Sequence, residues 1–427
     1  MEEKKKLKRW FPLDNAAKIF PASMRRGWSN VFRLSATLTS PVEPDALRRA
    51  VRRLSKRFPS VCVRLGRGFF WYFLEETSEA PQVVREGCQP LLPMAIREMR
   101  RCALRILYYE NRIAVEFFHA LTDGGGGSIF LRTLVATYLE EAKGIPIHAA
   151  SGVLDPDAEP DPAEWEDSFL THAGTVGETR ESLPAYALTG QKEEDGFLHV
   201  TCATLEVKDV LERARAAGVS LTAYLAASLV HSIAAIQNER VPKRKQRAVR
   251  VQIPVDLRRH FPSGTLRNFV AVVNVGVEKG DGDASFEEIL NRIHHQMGLF
   301  LTPRNLRAVF TANVNSEKGM TIRLVPRFLK NVVMRAVFDR VGESRACLCL
   351  SNLGPMSLPE TVASEVSRMD FIIGPQAKAP YNCGVVSYKD KLYINLVRNT
   401  KEPILEQRFF AFLSSLGIDF TLETNER

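Results

Sequence analysis

The stretch EFFHALTDGGGGSIF, residues 116–130, sets a histidine (His119) at the end of an apolar run. An aspartate (Asp123) follows four residues later, and then four glycines in a row. RIAVEFFH has the apolar, branched character of a β-strand with His119 at its C-terminal end. ALTDGGGG reads as a turn, and an amphipathic helix is expected to begin near Ser128 and stop at Gly144, a C-cap. Strand ends that lead through glycine-rich turns into helices are where α/β proteins place sites. Histidine is the side chain whose ordinary pKa lets it take and return a proton near neutrality. Asp123 has three jobs open to it: orienting His119, pairing with a distant arginine, or capping the helix. The glycines would let a backbone or ligand approach closely, and their amides would suit an anion. The plainer reading is a turn histidine beside a helix-capping aspartate, so the flanking sequence must decide.

The 427 residues suffice for two joined lobes with a sizeable core. Net charge is +9, which admits an anionic partner: nucleic acid, an anionic membrane surface or a phosphorylated ligand. A basic solvated surface explains it equally well. No zinc-finger pattern, RNP-like aromatic motif or long basic helix is present, so nucleic acid is not expected. Seven scattered cysteines without a CxxC pair suggest reduced, cytoplasmic usage. The N-terminal MEEKKKLKRWFPLD lacks the apolar segment of a signal peptide, and no run is long enough for a transmembrane segment.

Along the chain, NVFRLSATLT reads as a strand and EPDALRRAVRRLSKRFP as an amphipathic helix with a basic outer face. Two strands are expected around Gly66–Gly68, and a hairpin turning at Glu110–Arg112. Residues 150–195 are rich in Pro, Asp, Glu and Gly and read as a surface crossover. Strands and helices then resume, with Ser220 expected to cap a long helix, strands at RAVRVQIPVDLRR and NFVAVVNVGVE, and a hairpin around Lys389–Lys391. The expected division is an N-terminal lobe (1–150), a crossover linker (151–195) and a C-terminal lobe (196–427).

FHALTDGGG resembles the H-x-x-x-D-G motif of the CoA-dependent acyltransferase superfamily. That group includes chloramphenicol acetyltransferase, dihydrolipoyl acyltransferases, peptide-synthetase condensation domains, plant alcohol acyltransferases and wax-ester synthase-like enzymes. Other stretches fit in order. WFPLDNAAKIFP resembles the Leu-Asp opening of the alcohol and wax-ester branch. ALRRAVRRLSKRFPSVCVRL resembles the helix and strand that follow. IPVDLRRHFPSGTLRNFVAVVNV and SNLGPM resemble two later strand motifs. Many relatives carry a second histidine, where this chain has Phe118; the histidine that acts as base is present as His119.

The resemblance implies an α/β (α+β) fold of two chloramphenicol acetyltransferase-like lobes, each a mixed sheet with helices, and a tunnel between them. It implies transfer of an acyl group from acyl-CoA, as co-substrate, directly to a hydroxyl or amine of a small-molecule acceptor. His119 would be the general base, with no acyl-enzyme and no tightly bound cofactor. No G-x-S-x-G elbow offers a serine nucleophile. Asp123 would pair with Arg258, or failing that Arg259, and Gly124 would let the loop turn beside the substrate. Ser351, Asn352 and Asn268 are candidate tunnel polar groups, the first two for an oxyanion, although a capped turn is the commoner meaning of SNLG. Lys243, Arg244, Lys245 and Arg247 could meet CoA phosphates; such a run is more often a solvated loop. The adjacent His294 and His295 point about 100° apart on a helix and lack a third ligand, so no metal is expected. Two alternatives remain open: an enzyme whose donor is a thioester on an acidic carrier protein, and a binding module that keeps the fold without catalysis.

Overall fold

The computed structural model describes residues 8–426 apart from 26–29, 78, 88, 178–182, 195, 282, 319–324, 339–342 and 377–378. Its strands, in chain order, are β1 (Trp10–Pro12), β2 (Val31–Leu38), β3 (Val63–Arg67), β4 (Tyr72–Glu76), β5 (Val83–Arg85), β6 (Leu104–Tyr109) and β7 (Arg112–Phe118). The second half supplies β8 (His199–Glu206), β9 (Val249–Asp256), β10 (Val270–Val277), β11 (Leu348–Met356), β12 (Val366–Ile373), β13 (Tyr381–Tyr388), β14 (Lys391–Arg398) and β15 (Phe420–Thr424).

Two mixed sheets dominate. One runs β12-β2-β7-β6-β5 and the other β10-β9-β11-β13-β14-β8-β15, with a small third sheet β1-β4-β3. In the first, β5 and β6 are parallel; in the second, β11 is parallel to β9 and β13. Strand β7 is central in its sheet and buried along most of its length, so it reads as a near-continuous apolar run. Its one acid, Glu116, is buried and held by Arg33 (3.3 Å) and Arg105 (3.1 Å).

Helices Pro44–Arg57 and Gly124–Lys143 pack together on the first sheet. Proline opens the former at its first turn, where no amide hydrogen is needed. In the second lobe the Leu221–Arg240 helix is buried on nearly all sides, between helices Phe286–Phe300 and Ile404–Ser415. The Ser220 hydroxyl accepts from the Ala223 amide at its start, as its position predicts. No single helix among the described residues is long and apolar enough to cross a membrane. Six cysteines are described, and all are free thiols.

Three expectations need correction. The helix after His119 begins at Gly124, not near Ser128: the glycines form its first turn. Helix is affordable there because Asp123 caps it, accepting from the Gly126 amide at 3.0 Å. The glycines serve close packing, not flexibility. A Cβ on Gly126 would collide with the Leu266 carbonyl oxygen and one on Gly124 with the Leu353 side chain. Second, SNLG is no turn; β11 runs through it with a bulge between Asn352 and Pro355. Third, Val366–Ile373 does not stay with the second lobe. It leaves residues 196–427 and pairs antiparallel with β2, completing the first sheet. The alternation of this segment fits either sheet, so its own sequence does not say which edge it joins.

Two substitutions test the glycine reading. Gly126→Ala is expected to cost about 1–3 kcal/mol or more by overpacking against backbone that cannot yield. Gly298 lies in the Phe286–Phe300 helix with open space where a Cβ would go. Gly298→Ala should stabilise by about 0.5–1 kcal/mol through helix propensity. Urea denaturation of both variants reads the two signs.

Candidate active site

His119 follows β7 directly, and its amide hydrogen bonds to the Asn30 carbonyl at 2.8 Å, extending the β2–β7 pairing. The ring is stacked on Phe20 at 4.4 Å and touched edge-on by Phe32 at 5.1 Å. Asn268, just before β10 in the other lobe, sits 3.1 Å from Nδ1 through its Oδ1. The orientation of that amide follows from its other end. The Asn268 Nδ2 donates to the His119 carbonyl (3.0 Å), which can only accept, and to Asp14 Oδ2 (3.2 Å). Oδ1 therefore faces the ring, Nδ1 carries the hydrogen, and Nε2 keeps its lone pair. Burial lowers the His119 pKa below its ordinary 6.5, against opposing contributions from Asp123, Asn268 and Asp14. The imidazole is neutral at pH 7, with a basic nitrogen not committed to Asn268.

Asp123 does not hydrogen-bond to His119. Its Oδ1 caps the helix, and its Oδ2 accepts from Arg258 Nη1 (3.0 Å) and from the Phe269 amide (2.8 Å). Two of the three jobs open to it are thus combined. Arg258 also reaches Asp256 Oδ1 (2.9 Å) and the Thr265 carbonyl (2.8 Å). Thr122 adds a 2.5 Å hydrogen bond to the Leu266 carbonyl. The strand-to-helix loop of one lobe is fastened to residues 256–269 of the other. Arg259, the other arginine considered for this pairing, is exposed and lines the cavity.

The two lobes enclose a cavity of about 1340 Å³. It is larger than the ~300–1,000 Å³ typical of a pocket for one small ligand. His119, Gly124, Asn268, Ser351 and Asn352 all line it. The Asn352 Nδ2 donates to Thr222 (3.0 Å), and its Oδ1 accepts from the Gly354 amide (2.9 Å), so the side chain braces the bulge. Ser351 keeps its hydroxyl free of hydrogen bonds among the described residues.

The structure does not bring the basic run to this site. Lys243, Arg244 and Lys245 form a short 3-10 turn after the Leu221–Arg240 helix, and neither they nor Arg247 line the cavity. Lys243 pairs instead with Asp283 at 2.9 Å. His294 and His295 stand exposed on their helix, and no group of three metal-ligating side chains occurs among the described residues.

Two residues escaped the sequence reading. Arg132 lines the cavity and pairs with no carboxylate among the described residues, bonding instead to Ser128 and the Ser151 carbonyl. Asp14 stood only as part of the Leu-Asp opening. It is wholly buried, accepts from the Ala17 amide at 2.7 Å, and lies 3.6 Å from Arg267. Burial raises its pKa above 3.8, with Arg267 opposing. The spacing of Asp14 to Ala17, an Asx-type turn, was the available signal.

No family model matches the chain, and no curated protein matches it. Solved structures do match its fold. Polyketide synthase associated protein 5 from Mycobacterium tuberculosis aligns over 95% of this chain and 96% of its own, with TM-score 0.60 and 14% identity. TRI101 of F. graminearum, complexed with coenzyme A and deoxynivalenol, aligns over 96% and 99%, with TM-score 0.63 and 13% identity. TRI3 trichothecene 15-O-acetyltransferase from Fusarium sporotrichioides aligns over 95% and 94%, with TM-score 0.60 and 12% identity. At such identities the likeness establishes the fold alone: the two-lobed architecture that the sequence resemblance implied.

Beside Asp14 lies Asp167, whose Oδ2 accepts from the Asn15 amide while its buried Oδ1 has no partner among the described residues. Burial, with Asp14 adding to it, raises its pKa to about 6. The folded state therefore binds this proton more tightly than the unfolded chain does. Ionised Asp167 destabilises the fold at pH 7.5, and the penalty fades as pH falls through about 6 toward 3.8. Asp167→Asn should be more stable than the parent at pH 7.5 and lose that advantage by pH 4. Urea midpoints at the two pH values check it.

Proposed function

We propose that this protein is an acyltransferase that moves an acyl group from an acyl-CoA thioester directly to a hydroxyl or amine acceptor. The observation that carries the reading is His119: neutral, with Nδ1–H held by Asn268 and Nε2 left as a base in a cavity large enough for two substrates. The solved relatives support it, since one is complexed with coenzyme A and a second molecule and another is named an O-acetyltransferase.

In the proposed reaction Nε2 accepts the acceptor's proton as its oxygen or nitrogen attacks the thioester carbonyl. The tetrahedral intermediate collapses, the C–S bond breaks, and the imidazolium returns its proton to the departing thiolate. A base so placed contributes about 10²–10⁴ in rate, and holding both substrates in line adds to it. The Ser351 hydroxyl is the uncommitted donor for the oxyanion, while Asn352 shapes the strand beside it. Asp123 and Arg258 act by holding the loop. Arg132, a cavity cation without a carboxylate partner among the described residues, takes the phosphate role first sought in the Lys243–Arg247 run.

Purified protein mixed with acyl-CoAs of several lengths and a panel of alcohols and amines should release free thiol only when the acceptor is present. His119→Ala should lower that rate about 10²–10⁴-fold. Acceptor-dependent release that survives the substitution would remove His119 as the base. In kcat/KM the acid limb should fall below pH 6.5, following the lowered His119 pKa. Arg132→Gln should raise KM about tenfold for acyl-CoA and leave it unchanged for the corresponding acyl-pantetheine, which lacks the nucleotide phosphates. Release only from a carrier-protein thioester would favour the alternative donor.

A further inference from the structure

The Arg327–Val337 helix is built inside out. Phe328, Leu329, Val332 and Val333 fall on one face, and that face points to solvent: Phe328 is 66% and Val332 69% exposed. Its polar side faces the protein. Lys330 is buried over the Trp71 ring at 3.6 Å, the Asn331 Nδ2 donates to the Tyr72 hydroxyl at 3.1 Å, and Arg327 lies over the Tyr72 ring at 4.8 Å. The Arg327 amide donates to the Phe69 carbonyl at 3.1 Å, which brings the Phe69–Phe70 turn against the helix. Phe69 is itself 72% exposed. Six large apolar side chains from two segments thus form one outward patch, where a monomeric surface would ordinarily scatter them singly.

The patch is charged on one side only. Lys330 and Arg327 turn inward onto the Trp71 and Tyr72 rings, so the exposed cations beside the patch are Arg335 and, at the Phe69 turn, Arg67; the segment 325–338 holds no carboxylate. An apolar face rimmed by cations, on a chain of net charge +9, is complementary to a bilayer whose surface is negative and whose boundary is greasy. The location also fits. Val333, Met334 and Phe338 line the cavity, and the helix packs on Ile19–Ser23, whose Phe20 stacks on His119.

We propose that this face docks the protein on an anionic lipid surface, with the patch seated at the headgroup boundary beside the cavity. The test is co-sedimentation of the full chain with phosphatidylcholine vesicles, and with the same vesicles containing phosphatidylglycerol. Phe328→Ser/Val332→Ser is the variant, since neither residue lines the cavity and both are exposed; circular dichroism checks its fold. The expected result is sedimentation with the anionic vesicles only, weakened by salt, and at least about tenfold weaker in the variant. Equal sedimentation of parent and variant, or none with either vesicle, would overturn the proposal. So would equal binding to both vesicle types. A dimer in light scattering that the variant dissolves, without vesicle binding, would assign the face to a second copy of the chain instead.

Discussion

The ion pair between Asp123 and Arg258 is the constraint on which the site depends. It joins the loop that carries His119 to the segment that carries Asn268, so the contact between those two side chains rests on it. Its surroundings satisfy it: the carboxylate also takes two backbone amides, and the guanidinium takes Asp256 and two carbonyls. A buried pair is costly to desolvate and earns its place when every remaining polar atom has a partner; breaking one side costs about 3–5 kcal/mol. The histidine needs no carboxylate of its own. Asn268 fixes its tautomer as a neutral group, and Asp14 in turn fixes Asn268.

Local sequence disclosed what local physics decides. The strand ending at His119, the hairpin turning at Glu110, Ser220 as a cap and Gly144 as a left-handed C-cap all follow from periodicity and backbone preference. The pairing of Asp123 with Arg258 came from the family resemblance, since nothing within either segment points across 135 positions. What stayed hidden was set by tertiary contact. Four glycines in series look like a linker until the Leu266 carbonyl and the Leu353 side chain are seen pressing on them. The basic run drew attention by composition, while the cation at the cavity, Arg132, sits alone in an apolar helix. The Arg327–Val337 helix shows an ordinary amphipathic pattern; only its neighbours reveal which side faces out.

The cavity's lining mixes chemistries. Arg132, Arg259 and Ser128 contribute polar groups, while Val309, Phe310, Val325, Val333 and Phe338 contribute apolar ones interleaved along the chain with Asn313, Ser316, Glu317 and Lys330. In such a lining apolar side chains supply area and a few polar groups fix orientation.

Strand β12 carries a consequence for motion. It is hydrogen-bonded along β2 in one sheet, yet it lies between β11 and β13 of the other in the chain. Gly384 on β13 leaves no room for a side chain against the Phe371 carbonyl, so the two sheets meet there backbone to backbone. The lobes are sewn, not merely docked. A clamshell opening would have to unzip a strand, so the walls around His119 hold their spacing for as long as β12 stays paired with β2.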